Sequence, residues 1–367
     1  MKRLLVLLAA IALVSVFAAT SMAAEWNFYG SARMGTYYED RDENAGDDEG
    51  TTWDLQGNAR IGAEVNKNIK NGIGGGFEFG VTSSIHKSGD DTSADNDNIY
   101  TRKIFGTYKF GSSQIMIGKN YSPTGDRFYS NQVWNGDEDL LSTGQFYAGR
   151  QPMIMFSSQG FSFALVKPND GGDLEIVGGD VDITLPKVEA KFSINQDGLF
   201  ADMWGGFQTY EIETPGKTYD VNSFAAGIGG GIDMDVAFLK LHGYFARNQG
   251  NYGAAFFGPD KSADDALYDP INDDVTDVDT FGGLAVLGFK ASDTMTFEIG
   301  CGYVAHEADV DNAEKDETMS YYANVTINIA PGFFIVPEIG IVDYMENAAE
   351  VDQGKMTYYG AKWQIDF

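Results

Sequence analysis

From Trp26 to the last residue, apolar and polar side chains alternate with a period of two. In "TMSYYANVTINIA", Met319, Tyr321, Ala323, Val325, Ile327 and Ile329 share one face. In "LQGNARIGAEV", Leu55, Gly57, Ala59, Ile61, Ala63 and Val65 do the same. Alternation of this kind marks strands whose two sides meet different surroundings. About sixteen segments carry it, roughly 26–38, 53–66, 73–84, 99–110, 113–119, 149–158, 161–168, 187–195, 199–212, 220–233, 236–247, 279–290, 294–306, 317–330, 333–344 and 355–367, and none carries a helical period. Short strands between turn signals predict an all-β sandwich or barrel.

The connections separate these two. Short links such as "FGSS", "SQG", "NQDG", "DMD", "ASD" and "APG" alternate with long ones such as "EDRDENAGDDEGT", "IHKSGDDTSADNDN", Asn120–Gly149 and Asn248–Asp279. Short turns at one rim and long loops at the other are the layout of an up-and-down transmembrane barrel. In lipid all backbone N–H and C=O groups must be paired within the protein, so only helices and closed barrels span. Apolar runs such as "GGLAVLGF" and "GFFIVPEIGIV" are far shorter than the ~20 residues a spanning helix needs. The end "KMTYYGAKWQIDF" fits this frame. Thr357, Tyr359, Ala361, Trp363, Ile365 and Phe367 alternate with Lys362, Gln364 and Asp366, as a closing strand requires. "LEIVGGDVDITL" leaves room for one extra strand pair. Trp26, Tyr37, Tyr38, Tyr121, Tyr321, Tyr322, Tyr358, Tyr359 and Trp363 lie near segment ends and are read as interfacial girdles.

The start of the chain reads as a cleaved signal peptide over residues 1–23: Lys2 and Arg3, an apolar run, then Ser21 and Ala23 before the cut, with Ala24 as the second choice. Residues 24–367 are then one barrel. A net charge of −29 argues against nucleic acid as a partner. The acids concentrate in the long loops, where cation bridging to lipopolysaccharide competes with simple solvation; solvation is favoured because no segment matches a calcium loop. His86, His242 and His306 are not at metal-ligand spacing, so neither a metal nor another cofactor is expected. His242 has no nearby candidate nucleophile, and the chain is read as a non-enzyme. The single cysteine, Cys301, shares a face with Met295, Phe297 and Ile299 and is expected to meet lipid.

A sixteen-stranded cylinder is too wide for side chains to fill and leaves an aqueous channel. Arg33 is opposite in parity to Phe28, Ala32 and Met34, Arg60 to Ala59 and Ile61, and Arg150 to Met153 and Met155. Those three are expected to face the bore, since an arginine in lipid near midplane costs ~2–4 kcal/mol. At "TRKIFGTYKF" either Arg102 or Lys103 points inward. The loop at 120–149 is too long for a hairpin link and carries Asp137, Glu138 and Asp139 just after "WNG".

Together, "TRKIFGTYKFG", "IMIGKNYSP", the loop and the terminal aromatic strand resemble the Gram-negative outer-membrane general porins. The likeness covers the layout of the whole mature chain, and the residues of about 99–168 and the last strand. It implies a third loop folded into the lumen. The loop acids Asp137, Glu138 and Asp139 would face a basic ladder of Arg33, Arg60, Arg102 and Arg150. Where the family's loop carries two adjacent glycines before its acid, a single Gly136 stands here. The likeness also implies Phe367 as a signal read by the barrel assembly machinery, a homotrimer, and residence among the lipids and lipopolysaccharide of the outer membrane. The function expected is passive diffusion of ions and small hydrophilic solutes, with a mild cation preference. The alternatives are a channel selective for a sugar or organic anion, and a non-channel barrel acting as adhesin or anchor.

Overall fold

Alternation along the chain becomes a closed wall in space. The computed structural model describes residues 26–42, 49–65, 72–82, 98–141, 143–169, 179–254, 264–269 and 273–367. The signal peptide expected at 1–23, His86, and much of the acidic loop sequence lie outside these residues.

The strands are β1 Asn27–Arg41, β2 Glu49–Leu55, β3 Arg60–Val65, β4 Ile73–Thr82, β5 Asn98–Phe110, β6 Ser113–Tyr121, β7 Arg150–Ser158, β8 Phe161–Val166, β9 Asp180–Asp182 and β10 Lys187–Gln196. They continue with β11 Leu199–Thr214, β12 Lys217–Asp233, β13 Ala237–Arg247, β14 Leu267–Asp269, β15 Asp274–Thr276, β16 Val278–Ser292, β17 Met295–Ala308, β18 Lys315–Ala330, β19 Phe333–Asp343 and β20 Lys355–Asp366. β14 and β15 form a separate hairpin, while the rest make one antiparallel sheet in chain order. β2 and β3 are two pieces of one crossing. β9 continues the lane of β10 by pairing with Glu211–Glu213 of β11, so the barrel has sixteen crossings. The described part of "LEIVGGDVDITL" therefore adds no crossing.

β20 closes the sheet on β1, from Ser31↔Asp366 to Arg41↔Met356. Gly30 and Phe367 exchange backbone hydrogen bonds of 2.7 and 3.0 Å. The last strand has no free edge to fray or aggregate. At the short rim, Gln159–Gly160 (φ 50° and 84°) and Asp197–Gly198 (φ 49° and 80°) put two left-handed residues in succession, the twist that tight hairpins favour.

The outward face is apolar: Ile61, Ile104, Ile117, Ile228, Leu241, Leu287, Ile299 and Ile365 are each more than half exposed on the isolated chain. Cys301 is exposed on this face. Two expectations are corrected. Met153 and Met155 point inward and pack with Met116, Ala164 and Val166, while Ile154 and Phe156 take the outer face. The girdle set also divides. Tyr359, Tyr321, Trp363 and Trp26 are exposed, but Tyr37, Tyr322 and Tyr358 are buried inside. With a period of two, each Tyr–Tyr pair must send one ring to each face.

Candidate functional site

The segment between β6 and β7 has no ladder to satisfy its backbone, and buried N–H groups need acceptors. Wall carboxylates supply them. Glu338 on β19 accepts the backbone N–H of Val133 (2.8 Å) and Trp134 (2.9 Å), along with Asn324 Nδ2 (2.9 Å) and the Tyr358 hydroxyl (3.2 Å). Glu298 on β17 accepts from Asn131 N (2.6 Å), and Glu189 on β10 from Thr124 N (3.2 Å). Charge-assisted bonds of this kind are roughly twice as strong as neutral ones. Ser130 donates to the Tyr322 hydroxyl (2.8 Å) and Gln132 Nε2 to that of Tyr358 (2.8 Å). The Trp134 ring stacks on Tyr358 at 4.8 Å and donates Nε1–H to Glu39 (2.8 Å). The inward tyrosines are thus the loop's packing partners.

Close approach of backbones requires a glycine on the wall. A Cβ on Gly302 of β17 would lie 1.8 Å from the Thr143 carbonyl oxygen. Further along the loop, Gly144 places its carbonyl 3.2 Å from His242 Nδ1, and His242 is buried against Tyr129 (4.9 Å) and Trp204 (5.9 Å). Here His242 packs and positions.

The wall crossing next to the loop tip gives way. An unbroken strand was expected over 53–66, but Gln56–Ala59 leaves the ladder between β2 and β3. The reason is local bonding. Gln56 Nε2 donates to Val133 O (3.0 Å), Asn58 Nδ2 to Gly136 O (2.5 Å), and Tyr100 to Gly57 O (2.6 Å).

At the tip, Asn135 (φ 51°, ψ 40°) and Gly136 (φ 79°, ψ 34°) are both left-handed. Asparagine is among the few residues other than glycine that adopt this region readily. Asn135 therefore stands where the resemblance places the first of two adjacent glycines, with Gly136 as the second. Asp137 follows at φ 68° and is buried. Its carboxylate accepts from Lys362 Nζ (2.5 Å) and pairs with Arg33. Burial opposes its ionisation, but Lys362 and Arg33 hold its carboxyl below the ordinary range. Asp139 is shifted the other way, by burial and by the charge on Asp137. Glu138 is buried. Of the three expected acids, Asp137 pairs with Arg33 and Lys362, and it touches Arg33 rather than facing it across a gap.

The remaining bases gather on β3, β5 and β7. Glu78 of β4 holds Arg102 Nε (2.6 Å), Lys103 Nζ (3.2 Å) and Arg60 Nη1 (3.7 Å). The choice between Arg102 and Lys103 dissolves: the β4–β5 register slips after Glu78↔Lys103 to Phe79↔Thr101, and this bulge lets both reach the same carboxylate. Gly80 makes room, since a Cβ there would sit 2.8 Å from Arg102 Cδ. Arg150 is the first residue of β7. It donates Nη1–H to the Tyr121 hydroxyl (3.0 Å), with its guanidinium 5.3 Å from the ring centroid. The parity expected of Arg150 rested on Met153 and Met155 facing lipid. Instead, its strand-end position and the Tyr121 ring direct its side chain.

Glu78, Lys362, Glu298 and Glu338 were not singled out in the sequence. A signal existed for each, because in "GFEFG", "AKWQ", "FEIG" and "PEIG" a charged residue stands opposite in parity to apolar neighbours.

No family model matches the sequence, and no curated protein is significantly similar to it. Solved structures are similar across nearly the whole chain. The outer membrane channel DcaP of Acinetobacter baumannii shares 12% identity at a TM-score of 0.73, covering 94% of this chain and 97% of that one. The anion-selective porin from Comamonas acidovorans shares 13% at 0.61, covering 94% and 99%. OmpF of Salmonella typhi, in complex with daunomycin, shares 13% at 0.60, covering 93% and 97%. The closed wall of sixteen crossings agrees with these structures, and the chain has the fold of the outer-membrane porins.

Proposed function

We propose that the protein is an outer-membrane porin, a water-filled channel through which ions and small hydrophilic solutes diffuse passively. One observation carries this reading. The Asn120–Gly149 segment is tied to inward side chains of β10, β17, β18, β19, β20 and β1, which supports a loop that narrows the barrel from within. Residues 1–23 act as the cleaved signal peptide, Phe367 as the assembly signal, and the barrel works as a trimer among lipids and lipopolysaccharide. The apolar exterior and the closed β1–β20 seam support membrane residence.

On ion preference the geometry favours a different sign from the mild cation preference expected of the loop acids. Asp137 is neutralised by two bases. Arg60, Arg102 and Lys103 share the single carboxylate of Glu78, and Arg150 pairs with no carboxylate among the described residues. The narrow wall is therefore net basic and favours anions weakly; low-dielectric walls focus such fields. Planar-bilayer reversal potentials in a KCl gradient test this. Anion preference is expected, and it shifts toward cations in Arg60→Ala/Arg150→Ala. Unchanged selectivity in that variant discards the basic wall, and absence of conductance favours an adhesin or anchor.

A further inference from the structure

Beside the basic cluster stands an aromatic one that selection by charge does not require. Tyr121 meets Phe128 edge-on at 5.6 Å and 82°, and Phe128 meets Tyr147 at 5.9 Å and 45°. Lys103 Nζ lies 6.0 Å from the Tyr121 centroid, on the ring that also carries the Arg150 guanidinium. Other rings of the same loop are sunk into the packing, with Tyr129 and Phe146 each only 2% exposed. Tyr121, Phe128 and Tyr147 are not; like Lys103 and Arg150, they keep intermediate exposure. Two bases on the wall thus adjoin three accessible rings, Tyr121 at the end of β6 and Phe128 and Tyr147 in the loop that follows.

Each part has a chemical preference. Arg150 has no carboxylate of its own among the described residues, so a solute anion meets little competition there. The ring edges and faces of Phe128 and Tyr147 favour offset or edge contact with another aromatic ring. A chloride ion uses only the bases, and a neutral sugar leaves them unused. A solute that joins a carboxylate to an aromatic ring uses both.

We propose that Lys103, Tyr121, Phe128, Tyr147 and Arg150 form a weak subsite for small carboxylates that bear an aromatic ring. The inference rests on the channel reading. The carboxylate pairs with Arg150 and Lys103 while the ring leans on Phe128 and Tyr147. Contact is weak enough for release, as permeation demands.

The test uses the full barrel in planar bilayers with KCl as the carrier salt, adding benzoate or acetate at equal concentration. Benzoate is expected to interrupt the current where acetate does not. Phe128→Leu keeps bulk and removes the ring, and should weaken the benzoate block by about three- to tenfold, matching the worth of an aromatic pair. Tyr147→Leu should act in the same direction, and Tyr147→Phe should retain the block. Equal interruption by both anions, or a benzoate block indifferent to Phe128→Leu and Tyr147→Leu, overturns the subsite and leaves the channel standing. A folded barrel that passes no KCl current overturns the channel and the subsite together.

Discussion

The two sides of the interior use charge in opposite ways. Along β17 to β20, Glu298 and Glu338 are buried and filled by the loop's backbone N–H groups. Along β3 to β7 one carboxylate, Glu78, is shared among three bases, and Arg150 has only a phenol. Acids on the first side serve as fasteners and are unavailable to solutes. On the second side Arg60, Lys103 and Arg150 keep partial exposure, while Arg102 is buried against Glu78. The contrast teaches that formal charge alone does not tell what an interior acid does: a carboxylate filled by backbone N–H groups is structural.

The most disruptive way to break this contrast is on the fastened side. Gly302→Val should push the Thr143 carbonyl off the wall, because even a Cβ would overlap it at 1.8 Å. The expected result is an unlatched loop, seen as larger and noisier single-channel conductance and as proteolytic cleavage within 122–149. A quiet, wild-type trace would show that the docking is dispensable. Glu338→Ala comes next. It strands two backbone donors at a cost of roughly 1–3 kcal/mol each, and should lower the loop's protection in hydrogen exchange while the barrel strands keep theirs.

The smallest effect is expected at Asp137→Asn. This change leaves Lys362 and Arg33 uncompensated and should move reversal potentials further toward anions without releasing the loop. The same pair predicts a pH response. A carboxyl held below its ordinary value of 3.8 contributes attachment above that value and loses it as pH falls through the lowered one. The reversal potential should therefore move further toward anions only in strongly acidic solution, and Asp137→Asn should show that shift already at neutral pH and remove its acid dependence.

Much of the barrel was legible because period two has a physical cause along most strands, with an apolar outer face on one side and a polar interior or the loop on the other. Strand limits such as 99–110 against Asn98–Phe110, or 333–344 against Phe333–Asp343, differ by a residue or so. Legibility failed where apolar residues occupied both faces. Met153 and Met155 resemble lipid-facing residues, but they fill the inner wall beside Met116. It failed again at Gln56–Ala59, where alternation continues in the letters while the backbone turns aside to bind the loop. For the site, Arg33 and Arg60 were placed by parity, whereas Lys362 and Glu78 became partners only through neighbours distant in sequence, 225 positions for Asp137–Lys362 and 24 for Glu78–Arg102.

Alternation and loop rhythm by themselves determined the class of fold and, wherever only one face of a strand is apolar, which side meets apolar surroundings, since these follow from local geometry repeated along the chain. Tertiary structure alone decided which carboxylates are fasteners, which bases remain available and where the rings gather. Those outcomes depend on distances between segments far apart in the chain, and on backbone donors that seek acceptors only once the barrel has closed around them.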